Sequence, residues 1–175
     1  LGGLNTAGAG TVVLTDATNS FSGDVFIDTG TLSISADGNL GDSANTVTVT
    51  NGGKLLFTGS FTSARDVDLG TGATVDTGGN AMVLNGDITG GGLTKDGSGT
   101  LTLGGDMAGY TGTTTLNDGT LSLGSGPNAQ LGSALVFNGS GNSTLDVTGN
   151  LSSAATVTMN AAGNITTGAN ALSLT

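Results

Sequence analysis

The chain repeats itself. Residues 4–34 align without a gap onto residues 93–123. Leu4, Gly8, Gly10, Thr11, Leu14, Gly23, Gly30, Thr31, Leu32 and Ser33 recur as Leu93, Gly97, Gly99, Thr100, Leu103, Gly112, Gly119, Thr120, Leu121 and Ser122. Phe21 falls on Tyr110 and Ile34 on Leu123. Further along, Phe61, Val67, Leu69 and Val75 meet Leu151, Val157, Met159 and Ile165. Gly78, Asn80, Met82 and Leu84 then meet Gly168, Asn170, Leu172 and Leu174. The chain therefore reads as two sequence repeats of about 90 residues, repeat one about 1–89 and repeat two about 90–175. A long unit in which each piece leans on its neighbours points to a solenoid.

Within each copy the apolar residues alternate with polar ones. Val25 and Ile27, Leu32 and Ile34, Val47 and Val49, Leu55 and Phe57, Val67 and Leu69, Met82 and Leu84 each share a parity. Period two puts such pairs on one face of a strand. The intervening positions are mostly Thr, Ser, Asp and Asn, which gives the other face to water. No window shows a 3.6-residue apolar stripe, so no helix is expected. Strand segments are separated by Gly, Asn and Asp, the residues of tight turns. The expected fold is all-β: a single right-handed parallel β-helix spanning 1–175 as one domain, with rungs of roughly 20 residues and about four turns per copy. Val12, Leu14, Leu32, Ile34, Val47, Val49, Leu101, Leu103, Leu121 and Leu123 are expected inside.

Two other all-β architectures fit less well. Asp37-Gly38 and Asp118-Gly119 suit hairpins of a sandwich, but a sandwich has no need of a long repeat. A transmembrane barrel needs aromatic girdles, and the chain has only five Phe and one Tyr. There is no apolar run of the roughly 18 residues that a membrane helix requires. The chain opens without Met or a signal peptide, as a segment of a longer protein would.

Charge narrows the partners. The formal net charge is −10, and the only basic residues are Lys54, Arg65 and Lys95. Phosphate backbones and anionic membranes are poor partners for such a surface, so neither nucleic-acid binding nor membrane insertion is expected. The absence of Cys and His removes the usual nucleophile–histidine dyads and His/Cys zinc sites.

The remaining candidate chemistry is carboxylate chemistry. Asp66 and Asp68 share one strand face, the arrangement some β-helical glycosidases and lyases use, but Thr156 and Thr158 replace them in the second copy. Calcium solenoids repeat a Gly-Gly-x-Gly-x-Asp pattern. Gly90-Gly91-Gly92 and Gly78-Gly79-Asn80 do not supply it. Thr46, Thr48 and Thr50, like Thr113 and Thr115, form outward rows that ordinary strand propensity explains. Lys95 is expected to pair at the surface with Asp96 or another exposed carboxylate, and Phe21 and Tyr110 to pack at a corner. No catalytic, cofactor-binding or metal-binding residue is assigned, and no cofactor is expected.

Residues 91–105 read Gly-Gly-Leu-Thr-Lys-Asp-Gly-Ser-Gly-Thr-Leu-Thr-Leu-Gly-Gly, followed by Tyr110-Thr111-Gly112 and by Asn117-Asp118-Gly119-Thr120-Leu121-Ser122-Leu123. This stretch resembles the passenger-associated transport repeat, or autotransporter-associated β-strand repeat. The pattern returns more loosely over 2–34, where Thr6 stands in place of the motif lysine. The resemblance implies an extracellular or cell-surface β-helix from a Gram-negative bacterium, exported by an outer-membrane barrel elsewhere in the full-length chain. It implies a non-catalytic stalk or scaffold that supports secretion, display or adhesion, facing a host or neighbouring-cell surface. A self-assembling subunit, stacked end to end with copies of itself in a filament or sheath, is the second expectation. A β-helical carbohydrate-active enzyme is the third.

Overall fold

A computed structural model describes residues 2–139 and 141–175. The strands pair in parallel throughout, in sheets of ten, six and two strands. One column runs through the whole rod: Val12, Leu32, Leu55, Val75, Lys95, Leu116, Phe137 and Met159 stack in register, one per coil. The fold is thus a parallel β-solenoid of about eight coils. At about 4.8 Å per coil the rod is some 35–40 Å long.

Each complete coil has three sides. Side one carries Val25–Ile27, Val47–Val49, Val67–Leu69 and the start of the strand Ile88–Asp96. Side two carries Thr31–Ile34, Lys54–Phe57, Thr74–Asp76 and, further on, Thr113–Leu116. Side three carries Phe61–Ser63, Ala81–Leu84, Thr100–Leu103, Thr120–Leu123 and Ser143–Val147. The alternation predicted from sequence decides which side chains enter the rod. Leu32, Ile34, Val47, Val49, Leu101, Leu103, Leu121 and Leu123 are all buried.

Val12 and Leu14 differ. Val12 is 36 % exposed and Leu14 is half-buried against the core. Their parity is as expected, because they pair in register with Leu32 and Ile34. Their strand, Leu4–Leu14, lies on the first coil, and among the described residues nothing packs on its outer edge. Met159, Ile165 and Leu174 are exposed on the last coil for the same reason.

One short helical turn interrupts the all-strand pattern. Asp37–Leu40 forms a 3-10 turn. The buried Asn39 accepts the backbone N–H groups of Ser35 (2.9 Å) and Ala36 (2.8 Å) through Oδ1. Such local side-chain bonding favours turns over strand. Among the described residues no helix is long and apolar enough to cross a membrane.

The two sequence copies do not sit on the same sides. Leu4 stacks through Val25, Val47 and Val67 onto Ile88, whereas its sequence match is Leu93, five residues further round the coil. The matched strands of residues 4–34 therefore lie on sides one and two, and those of residues 93–123 on sides two and three.

Candidate functional site: stacked glycine corners and a buried lysine

The glycines shared by the two copies meet one another on successive coils. A Cβ built on Gly30 would stand 2.1 Å from the Gly8 carbonyl oxygen and 2.5 Å from that of Gly10. A Cβ on Gly119 would stand 2.4 Å from the Gly99 oxygen and 2.5 Å from that of Gly97. Gly30 and Gly119 also adopt φ of 71° and 65°, a region where side chains are disfavoured. The second contact is repeated too. A Cβ on Gly23 would lie 2.4 Å from the Gly3 nitrogen, and one on Gly112 would lie 1.9 Å from the Gly91 carbonyl carbon. The stretches 4–34 and 93–123 thus each supply two adjacent coils, and their glycines let the two backbones close at the corners.

Lys95 is not at the surface. It is fully buried, in the apolar column between Val75 and Leu116. This corrects the expected surface pair. Its Nζ donates to the carbonyl oxygens of Asp96 (2.8 Å), Gly97 (2.7 Å) and, one coil on, Asp118 (3.2 Å). Burial pushes its pKa down to about 8, partly countered by the carboxylates of Asp118, Asp76 and Asp96. The first copy has a hydroxyl at the matching position. Thr6, also buried, donates through Oγ1 to the Thr29 carbonyl at 3.1 Å. Thr29 matches Asp118, so both copies bond the equivalent carbonyl of their second coil from an inward side chain of their first.

The other two cations are also engaged. Arg65, buried, holds the 3-10 turn. It donates through Nε to Asp37 Oδ1 (3.0 Å), through Nη2 to the Gly41 carbonyl (2.8 Å), and through Nη1 to the Asp42 carbonyl. Lys54 bridges Asp76 (3.1 Å) and Asp96 (3.3 Å) on the outside of side two. Burial lowers the Lys54 pKa, but these two carboxylates outweigh it and the net shift is upward. Asp76 and Asp96 stack in register, and Asn117 of the next coil donates to Asp96 Oδ1 at 2.7 Å. With every cation engaged, the outer surface is dominated by carboxylate.

The aromatic of the motif packs inside, as expected for a corner. Tyr110 is buried, and its hydroxyl donates to the Thr113 carbonyl at 3.1 Å and lies 3.0 Å from Thr114 Oγ1. Burial pushes its pKa up to about 12. Its match, Phe21, packs half-buried against the core. Asn80 and Asn170 match as well: their Nδ2 atoms donate to the Phe57 carbonyl (2.9 Å) and the Val147 carbonyl (3.0 Å) one coil away.

The carboxylates singled out in the sequence face outward. Asp66 is exposed, Asp68 half-exposed, and Asp66 Oδ1 accepts the Asp87 N–H at 2.9 Å. Thr46, Thr48, Thr50, Thr113 and Thr115 are partly exposed beside buried neighbours. Among the described residues no three His, Cys, Asp or Glu side chains converge as a metal site would require. A shallow cavity of about 240 Å³ lies along Asn5–Val12 on the first coil.

The motif residues thus occupy interlocking places on paired coils, and comparison with known proteins names the motif. Residues 4–34 and 93–123 match the family model of the Passenger-associated-transport-repeat. These two stretches are passenger-associated transport repeats. Over 118 residues, 67 % of the chain, the sequence is 42 % identical to the adhesin BmaC autotransporter of Brucella suis biovar 1 (strain 1330). The chain spans only 3 % of that protein's length. No solved structure matches. Residues 4–34 and 93–123 are therefore autotransporter passenger repeat, and the glycine and lysine positions of the repeat make contacts between one coil and the next.

Proposed function

We propose that this chain is a non-catalytic structural segment of an autotransporter passenger, a rod at the bacterial cell surface that carries adhesive regions away from the outer membrane. The two units of about 90 residues act as its interchangeable modules. One observation carries this reading: the motif's Leu, Lys and Tyr side chains pack into the rod, and its glycines let neighbouring backbones close on one another. The repeat spends its recurring chemistry on stacking. An outer-membrane barrel elsewhere in the full-length chain fits the kinship with an autotransporter, and so does a role in adhesion.

The test is a segment exchange in the full-length protein. These coils are replaced by the same number of unrelated parallel coils, and surface display and adhesion are measured together. Retained display with retained adhesion is expected. Retained display with lost adhesion would show that this segment binds the target itself.

A further inference from the structure

A stack of parallel coils has a register problem. A coil that slips by one residue turns its apolar face to water, but a slip of two keeps the parity intact. The side-two column, Leu32, Leu55, Val75, Leu116 and Phe137, is apolar enough to accept such a slip. Lys95 is the one charged member of that column. Its ammonium finds the Asp118 carbonyl only when the turn after Leu116 lies directly over the turn after Lys95.

We propose that Lys95 is a register key: a buried cation that fixes the coil bearing Tyr110–Leu116 over the coil bearing Ile88–Asp96 by rejecting slipped stackings. The proposal rests on reading the repeat as a coil-stacking module. A buried cation contributes little net stability against an apolar replacement, and its best-attested use is to set register. The first copy supports the assignment. Thr6 there makes the equivalent bond to Thr29, so the contact is kept although the side chain is not. Stability alone would not require a donor at both positions.

The chain lacks Cys, which permits a direct test by disulfide trapping during refolding of the whole chain. Thr94 and Thr115 are in-register partners on the outer face. Neighbouring parallel strands run about 4.8 Å apart, within the span of about 4.4–6.8 Å between Cα atoms that a disulfide bridges. The native reporter is the pair Thr94→Cys and Thr115→Cys. Two slip reporters pair Thr94→Cys with Thr113→Cys or with Asn117→Cys. A two-residue slip adds roughly 6.6 Å along the strand, so each pair reads one register. With Lys95 present the native pair forms and the slip pairs stay near background. In Lys95→Met the slip pairs are expected to rise about tenfold or more, as loss of discrimination by an unsatisfied buried charge implies.

Lys95→Met that folds and traps only the native pair would overturn the proposal and leave register to the glycine corners. Should Lys95→Met fail to fold, Lys95→Thr decides. Its recovery of the fold and the native crosslink supports a register key. Its failure as well makes the Lys95 ammonium a requirement for stability rather than for register and sinks the idea. These readouts concern the refolded chain alone, so they stand apart from whether the segment displays an adhesin.

Discussion

Lys95 reaches the Asp118 carbonyl from inside the rod at 3.2 Å, and that contact ties stability to pH. Its pKa is about 8 in the folded chain against 10.5 when unfolded. Between those values the unfolded chain binds the extra proton, so stability rises as pH rises. The charges facing the ammonium are the carboxylates of Asp118, Asp76 and Asp96, and the Lys54 pKa is shifted upward, away from this range. The rise is expected to be at most roughly 3 kcal/mol. Above pH 10 it is opposed by Tyr110, whose folded pKa of about 12 makes stability fall as pH climbs further. Denaturant unfolding from pH 7 to 10 should show the wild type gaining stability and Lys95→Met staying flat. Equal slopes would assign the effect elsewhere.

The glycine corners make a matched comparison. Gly30→Ala puts a Cβ 2.1 Å from a backbone oxygen at φ of 71°. The backbones must part, and a loss of several kcal/mol is expected. Gly52 has φ of 84° but open space around its Cβ position. Gly52→Ala should lose only about 1 kcal/mol, the strain of the dihedral alone. Gly8→Ala meets nothing within 4 Å and should be close to neutral. Thermal melts of the three variants check the order.

The strand alternation and the repeat were legible because both are written in residue spacing. Lys95 was not, although a signal was present: it shares its parity with Leu93, an inward residue, and it aligns with Thr6, another donor. Charge argued for the surface, and only the converging carbonyls of Asp96, Gly97 and Asp118 reverse that argument. The rotation of the second copy by one side was also hidden. Coils vary in length, as the steps from Met82 to Leu101 to Leu121 to Leu145 show, so a sequence period cannot be converted into an angle round the rod. The strands Phe61–Ser63, Ile88–Asp96 and Leu151–Ser153 escaped because Gly and Ser dilute their alternation.

Asn80 offers a test of the corner shared with Asn170. Its amide donates to the carbonyls of Phe57 (2.9 Å) and Thr77 (3.1 Å). Asn80→Ala removes both bonds and is expected to lose about 1–3 kcal/mol. Asn170→Ala, on the more exposed last coils, should lose less because water can reach the freed carbonyl. Urea midpoints at constant slope measure both. A larger loss at Asn170 would contradict the burial argument.

The sharpest test of the strand faces is a pair of adjacent substitutions. Leu103 is buried, 1 % exposed, and stacks on Leu84. Thr102 is partly exposed, in an outer column between Val83 and Ser122. Leu103→Asp places a carboxylate in the apolar interior with no cation beside it. That costs several kcal/mol unless the group takes up a proton, against a total stability of only about 5–15 kcal/mol for a single domain. The rod should unfold or melt far lower. Thr102→Asp adds one more charge to an already acidic outer face and should shift stability by about 0.5–1 kcal/mol. Lowering the pH toward 4 should recover part of the Leu103→Asp loss, because protonation removes the buried charge, while Thr102→Asp gains little. Equal destabilisation of the two variants would mean that a second layer covers side three. The reverse order would mean that the register of Thr100–Leu103 on Ala81–Leu84 is wrong by one residue, since only an odd slip exchanges the two faces.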